Sequence, residues 1–266
     1  MPFQKPVLRI AVISAVVAVL LAVGGANGVG PLARVTPPAE VTDPREMLAR
    51  SLQAVIDADS VHLEIALAGH APGALFGRDE AQTTVDGSLA IVDARPQDAR
   101  TRAHVESPAF GITLDTVTVW DALSTRASPG GPWTRGSLGV ATQGSGLDLN
   151  PLTLVDRLRA WLAAPGAPAP TERDVACAAP SGRCREIRLD AGAAPSQVLL
   201  GIPPGGRTAS FSRTATTVVL QSDVETLRPA HLELTIASAD GTLRLALTAD
   251  ASAWDQPSVI DEPALP

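Results

Sequence analysis

The residues whose types and spacing could carry chemistry are few. Cys177 and Cys184 are the only cysteines. Four histidines, His62, His70, His104 and His231, are scattered along the chain, and none has a second His or Cys at ligand spacing. Tetrahedral metal sites need four converging donors, so no metal is expected. Gly144-Ser145-Gly146 lacks the Gly-x-Ser-x-Gly pattern of a nucleophile elbow and the strand-to-helix context that pattern needs. Gly28-x-Gly30 has no preceding strand to aim it at a phosphate, and no cofactor is expected. Asp57 and Asp59 close a predicted helix, where negative charge opposes the dipole; a polar turn is the plainer reading. No catalytic constellation emerges, and the expectation is a protein that is not an enzyme.

Charge and composition narrow the partners. The 266 residues carry a formal net charge of −7, and loss of residues 1–26 would remove Lys5 and Arg9 and leave −9. An acidic chain with no basic stripe is a poor match for phosphate backbones, so no nucleic acid is expected. Aromatic residues make up 3% of the chain, too few for a stacking platform. A hydrophobic fraction of 45% allows a substantial core.

The amino terminus sets the compartment. Lys5 and Arg9 precede an apolar run from Ile10 to Val23, followed by Gly24, Gly25 and Ala26. This is the pattern of an export signal with cleavage after Ala26 or Gly28. At 17 residues to Ala26 the run also meets the lower limit of a spanning anchor. Residues 1–26 are therefore read as signal peptide or membrane anchor, 27–42 as a linker and 43–266 as a single domain. The location is extracytoplasmic, anchored or secreted. In such an oxidising compartment Cys177 and Cys184, flanking Pro180-Ser181-Gly182, are expected to be a disulfide across a hairpin, with two free thiols as the alternative.

The elements that would position any site follow from periodicity. Asp43, Pro44 and Glu46 form a helix start, and Leu48, Leu52, Val55 and Ile56 repeat as one apolar stripe. The period then changes to two, with Val61, Leu63, Ile65 and Leu67 on one face of a strand. A strand from about Thr84 to Val92 places Val85, Leu89 and Ile91 together. From Arg100 to Glu106, Thr101, Ala103 and Val105 point inward and Arg100, Arg102, His104 and Glu106 outward. Asn150-Pro151 starts a second helix with Leu154, Val155, Leu158, Trp161 and Leu162 on one side. Leu232, Leu234 and Ile236 alternate up to Asp240-Gly241, and Leu243, Leu245 and Leu247 alternate away from it, which predicts a hairpin. The sum is nine or ten strands and two principal helices.

An exported amino terminus, Asp43-Pro44-Arg45-Glu46-Met47-Leu48 opening a helix, Asp59-Ser60-Val61-His62-Leu63 leading into the first strand, Trp133 after a turn and the Cys177-x6-Cys184 hairpin together resemble the LolA/LppX-like carriers of the bacterial cell envelope. The resemblance covers about residues 43–260. It implies an α+β fold in which a strongly curved, mostly antiparallel sheet, an incomplete β-barrel, wraps around helices. It also implies a non-enzymatic carrier for a lipid or other apolar ligand, associated with the membrane through its amino-terminal segment. This chain has no Cys at the end of its apolar run, so the usual acceptor for an amino-terminal lipid is missing. The candidate cavity residues are Leu48, Leu52 and Val55, Leu63, Ile65, Leu89 and Ile91, and Leu154, Leu158, Trp161 and Leu162. The alternative is a membrane-anchored protein-interaction or envelope-sensing module with a filled core, its partner unspecified by sequence.

Overall fold

The computed structural model describes residues 43–73, 81–120, 122–137, 168–192 and 214–265. The proposed export segment, the linker and the second helix bearing Leu154, Leu158, Trp161 and Leu162 lie outside the described residues.

Helix α1, Pro44–Asp57, begins as its sequence dictates. The Asp43 side chain accepts from the Arg45 N–H at 2.9 Å, and Pro44 fills a first-turn position that needs no donor. Met47, Leu48, Ser51 and Val55 form its buried side. The acidic carboxy-terminal end is tied down structurally. Gln53 Nε2 donates to Asp57 Oδ1 at 2.6 Å, Gln97 Nε2 donates to the Asp57 carbonyl at 2.5 Å, and the Asp59 N–H donates to Asp255. The Gln97 contact satisfies one of the carbonyls the helix end would otherwise leave open.

Twelve strands follow: β1 Val61–Ala71, β2 Thr83–Thr84, β3 Ser88–Arg95, β4 Arg100–Ser107, β5 Ile112–Val119, β6 Ala122–Ala127, β7 Thr134–Ser137, β8 Thr171–Ala176, β9 Arg183–Ala191, β10 Thr214–Asp223, β11 Pro229–Ser238 and β12 Arg244–Ser252. They form one sheet in the order β7-β6-β5-β4-β3-β1-β12-β11-β10-β9-β8, with β2 paired to β1. Every ladder is antiparallel.

This corrects the expected architecture. The sheet is an open antiparallel path whose end strands, β7 and β8, share no ladder, so it is neither closed nor the strongly curved incomplete barrel anticipated. Nor does it wrap around helices among the described residues, where α1 is the one α-helix. Closure depends on strand tilt and accumulated twist, which alternation along single strands does not encode. The end strand β8 is exposed and carries Glu172, Arg173 and Asp174, charges that discourage addition of another strand.

Strands β1, β3 and β4 alternate along most of their length. On β4, Thr101, Ala103, Val105 and Ser107 are buried and Arg102 and Glu106 exposed. On β1, Val61, Leu63 and Ile65 are buried and Glu64 and Ala66 exposed. The Ser238–Leu243 connection closes the β11–β12 hairpin. There the Asp240 carboxylate accepts from the Ser238 hydroxyl and from the Thr242 N–H and hydroxyl, which hold its pKa down to about 2. After β12 the tail runs past the ends of β1, β3 and β4 towards β7. The Ser60 hydroxyl donates to the Gln256 carbonyl, Arg95 to that of Ser258 and Arg100 to that of Ile260, and Arg135 pairs with Glu262.

Candidate functional site

The two faces of the sheet have different chemistry. The inner face, against which α1 packs, carries the apolar side chains. Met47 and Leu48 of α1 cluster with Ile187, Leu189, Val218, Leu220 and Leu227, and Leu52 packs against them. Leu63 and Ile65 belong to a second cluster with Val92, Val105, Leu247 and Ala249. Leu232 and Leu234 touch both clusters. Register explains the continuity: Leu234 stands opposite Leu247, which stands opposite Leu67, while Leu232 stands opposite Ala249, which stands opposite Ile65. Leu67, Leu232, Leu234 and Leu245 remain only partly covered.

Of the predicted cavity residues, Leu48, Val55, Leu63 and Ile65 are buried and Leu52 is intermediate. Leu89 and Ile91 do not join them. Their side chains are on the opposite face, 37% and 38% exposed. The β1–β3 register sets Val92 opposite Leu63 and Ala90 opposite Ile65, so the inward residues of β3 are Ser88, Ala90, Val92 and Ala94. Val85 is buried, but the turn at Asp86-Gly87, with Gly87 at φ +75°, separates it from β3 and breaks the alternation on which the expected face rested. Sequence reasoning overlooked Ile187, Leu189, Val218 and Leu220, the partners of α1. The alternation of Leu232, Leu234 and Leu247 is visible in the sequence, but it marks a hairpin without marking the site.

The outer face is polar and organised by cross-strand pairing. Ile91, His104, Asp115 and Arg126 are successive neighbours across β3, β4, β5 and β6. They form a row in which His104 Nδ1 lies 2.7 Å from Asp115 Oδ1 and Arg126 Nε donates to Asp115 Oδ2 at 2.8 Å. Two further His–Asp pairs lie on the same sheet, His62 with Asp93 at 2.8 Å and His231 with Asp250 at 2.7 Å. A groove of about 450 Å³ crosses the outer face at the His104 row, bounded by Trp133 and by Asp261, Glu262 and Pro263 of the tail. The Arg126 guanidinium lies 4.7 Å from the Trp133 ring centre, a cation–π distance.

A His–Asp pair resembles the base of a catalytic triad, but this one serves the ladder. His104 Nε2 lies 3.2 Å from Glu106 Oε1, so both ring nitrogens face carboxylates, and among the described residues no Ser or Cys lines the groove as nucleophile. The Asp115 hydrogen bond raises the His104 pKa against the opposing effect of burial, with Glu106 adding to the rise. Burial disfavours ionised Asp115, yet hydrogen bonds from His104 and Arg126 outweigh it and hold that carboxyl below its ordinary range. A folded-state pKa above the unfolded value gives stability that is complete below about pH 6.5 and is lost as pH rises through the folded value. Because His104 is more than a third exposed, solvent screening keeps the effect under about 1 kcal/mol. Urea midpoints should accordingly fall slightly between pH 6 and pH 8, and His104→Gln should flatten that slope; an unchanged slope would show the pair to be energetically silent.

The disulfide between Cys177 and Cys184 is formed, linking the two arms of the β8–β9 hairpin. Closing so short a loop contributes about 2.5 kcal/mol on a chain-entropy estimate. Among the described residues no three His, Cys, Asp or Glu side chains are arranged to hold a metal. No described helix is long and apolar enough to cross a membrane.

No family model matches the chain, and no curated protein is significantly similar to it in sequence. Among solved structures it is similar to the Mycobacterium tuberculosis lipoprotein LppX, with a TM-score of 0.50 and 16% identity over 82% of this chain and 98% of that one. A LolA superfamily protein from Nitrosomonas europaea aligns at TM-score 0.30 and 12% identity, over 82% of this chain and 96% of that chain. MucB, in a complex with MucA(peri), aligns at TM-score 0.33 and 14% identity over 79% of this chain and 56% of that chain. The antiparallel sheet carrying α1 on its apolar face and the likeness to LppX across nearly the whole of that protein together give this chain a fold similar to that of LppX.

Proposed function

We propose that the protein is a non-enzymatic, extracytoplasmic binding or carrier protein for a lipid or other apolar molecule at the cell envelope. Residues 1–26 direct export or anchor the chain, and residues 43–266 act as one binding domain. The observation that carries this reading is the strip of leucines at the middle of the inner face. Leu67, Leu232 and Leu234 lie beside the two apolar clusters and Leu245 beside a third, of Ala71, Val85, Ile112, Ile236 and Leu243, yet all four are incompletely covered. Fully covering a leucine side chain is worth about 1.5–3 kcal/mol, so a strip of four is a favourable place for an acyl chain. The fold shared with LppX supports the reading, and the acidic net charge supports an uncharged or apolar ligand over a polyanion.

The test is native mass spectrometry of the full chain, extracted gently from a membrane-containing host, with organic extraction of whatever co-purifies. Acyl species at near-unit occupancy are expected. A ligand-free mass together with no uptake of a fluorescent acyl probe would overturn the carrier reading and favour an interaction module.

A further inference from the structure

We infer that the groove on the outer face docks an extended peptide segment of a partner protein, one that brings a backbone carbonyl to Arg102, an apolar side chain to Ile91 and a basic side chain to Asp261. The inference is independent of the carrier reading, because the groove lies on the face opposite the leucine strip. The protein already holds one extended segment of its own on this face. Arg95 and Arg100 stand opposite each other on β3 and β4. Arg95 donates to the Ser258 carbonyl at 3.1 Å and Arg100 to the Ile260 carbonyl at 2.9 Å. Carbonyls two residues apart point the same way in an extended chain, so this pair of arginines grips a peptide by its backbone. Arg102 is the next outward residue of β4, about 7 Å beyond Arg100, which leaves room for a second chain beside the first. There it lines the open groove with no hydrogen bond or ion pair among the described residues. Its cross-strand neighbour Asp93 is engaged by His62 instead.

The size and charge of the groove define the guest. From Ile91 on β3 to Arg126 on β6 is three strand spacings, about 14 Å, the length of about four extended residues. Ile91, 38% exposed, offers an uncovered apolar surface at one end, and Trp133 beside Arg126 bounds the other. The carboxylates of Asp93, Asp115, Asp261 and Glu262 outnumber the guanidiniums of Arg102 and Arg126. An anionic ligand therefore meets net repulsion, and a cationic one net attraction. Asp115 and Glu262 are already paired, with Arg126 and Arg135. Asp261 is exposed and has no partner among the described residues. Arg102 thus calls for a neutral acceptor such as a peptide carbonyl, and Asp261 for a cation.

The test is fluorescence anisotropy on the full chain in amphipol with dye-labelled, end-blocked pentapeptides. One set carries a single leucine and a single arginine at each pair of positions in an alanine–proline background; a matched set has glutamate in place of the arginine. Wild type should bind the best arginine peptide about two- to fivefold more tightly than its glutamate counterpart, the contribution of one exposed ion pair. Arg102→Gln should weaken that peptide about tenfold, through loss of a charge-assisted hydrogen bond. Asp261→Asn should abolish the preference for arginine over glutamate. Arg244→Gln makes the same change at an exposed arginine outside the groove, again without a partner among the described residues, and should leave binding unchanged. All three substitutions are at exposed side chains with no hydrogen bond or ion pair to lose, so melting temperatures should match wild type. No saturable binding by any arginine peptide overturns the proposal. So does a loss in Arg244→Gln as large as that in Arg102→Gln, or an arginine preference that survives Asp261→Asn.

Discussion

Gly69→Ala is expected to lower stability by about 3–5 kcal/mol, adding the cost of a strained backbone to that of overpacking. Gly69 lies within β1 at φ +119°, a conformation L side chains rarely adopt, and a Cβ there would stand 1.9 Å from the Arg244 carbonyl oxygen of β12. The obstacle is backbone and cannot rotate away. Relief would require separating β1 from β12, where Gly69 is paired with Leu245. The same residue accepts from the Val85 N–H at 2.9 Å and donates to Asp86 Oδ1 at 2.6 Å, so displacement would also loosen the turn before β3. Gly111→Ala is the control. Gly111 has φ +61°, but a Cβ added there would meet nothing within 4 Å, and the change should cost only about 1 kcal/mol. Urea denaturation of both variants decides the matter, and equal losses would refute the close approach as the cause.

Asp223→Ala should cost about 3 kcal/mol, because it strands several donors at once. Oδ1 of Asp223 accepts from the N–H groups of Glu225 and Thr226 at 2.8 and 2.9 Å and from the Thr226 hydroxyl at 3.2 Å. Its Oδ2 accepts from the Ser181 N–H at 3.1 Å. One carboxylate thus ties the turn after β10 to the tip of the disulfide hairpin. Burial opposes its ionisation, but these hydrogen bonds prevail and hold its pKa below the ordinary carboxylate value. The stabilisation is present above about pH 4 and is lost as pH falls through the depressed folded value. Asp223→Asn should be milder at pH 7 and should lose less stability than wild type between pH 5 and pH 3. Identical acid sensitivity of the two proteins would place the acid-labile group elsewhere.

Much of the local structure is written in the residue pattern. Asp43-Pro44 marks the start of α1, β4 alternates as its residues dictate, and Leu232 to Leu247 form the expected hairpin. The short strands β2 and β7 and the charged strand β8 are harder to see, because they add pairing without a sustained apolar period. On β3 the pattern misleads. Its outer face mixes the large apolar Leu89 and Ile91 with Asp93 and Arg95, while its inner face carries the smaller Ser88, Ala90, Val92 and Ala94. A two-residue period is indifferent to a shift of one step, and size alone favours the larger residues as the inner ones. Pairing with β1 resolves the ambiguity by setting small residues opposite Leu63 and Ile65.

The site divides in the same way. By itself the sequence determined the helix start, the strand periods, the scarcity of catalytic groups and the cysteine pair, because caps, alternation and residue chemistry act over a few neighbouring positions. Only the tertiary structure decided that the sheet stays open, that Leu89 and Ile91 face away from the other apolar candidates, and that Arg102 and Asp261 line one groove without partners among the described residues. Those outcomes depend on register and on twist summed over many strands, quantities fixed by contacts between distant segments rather than by any one of them.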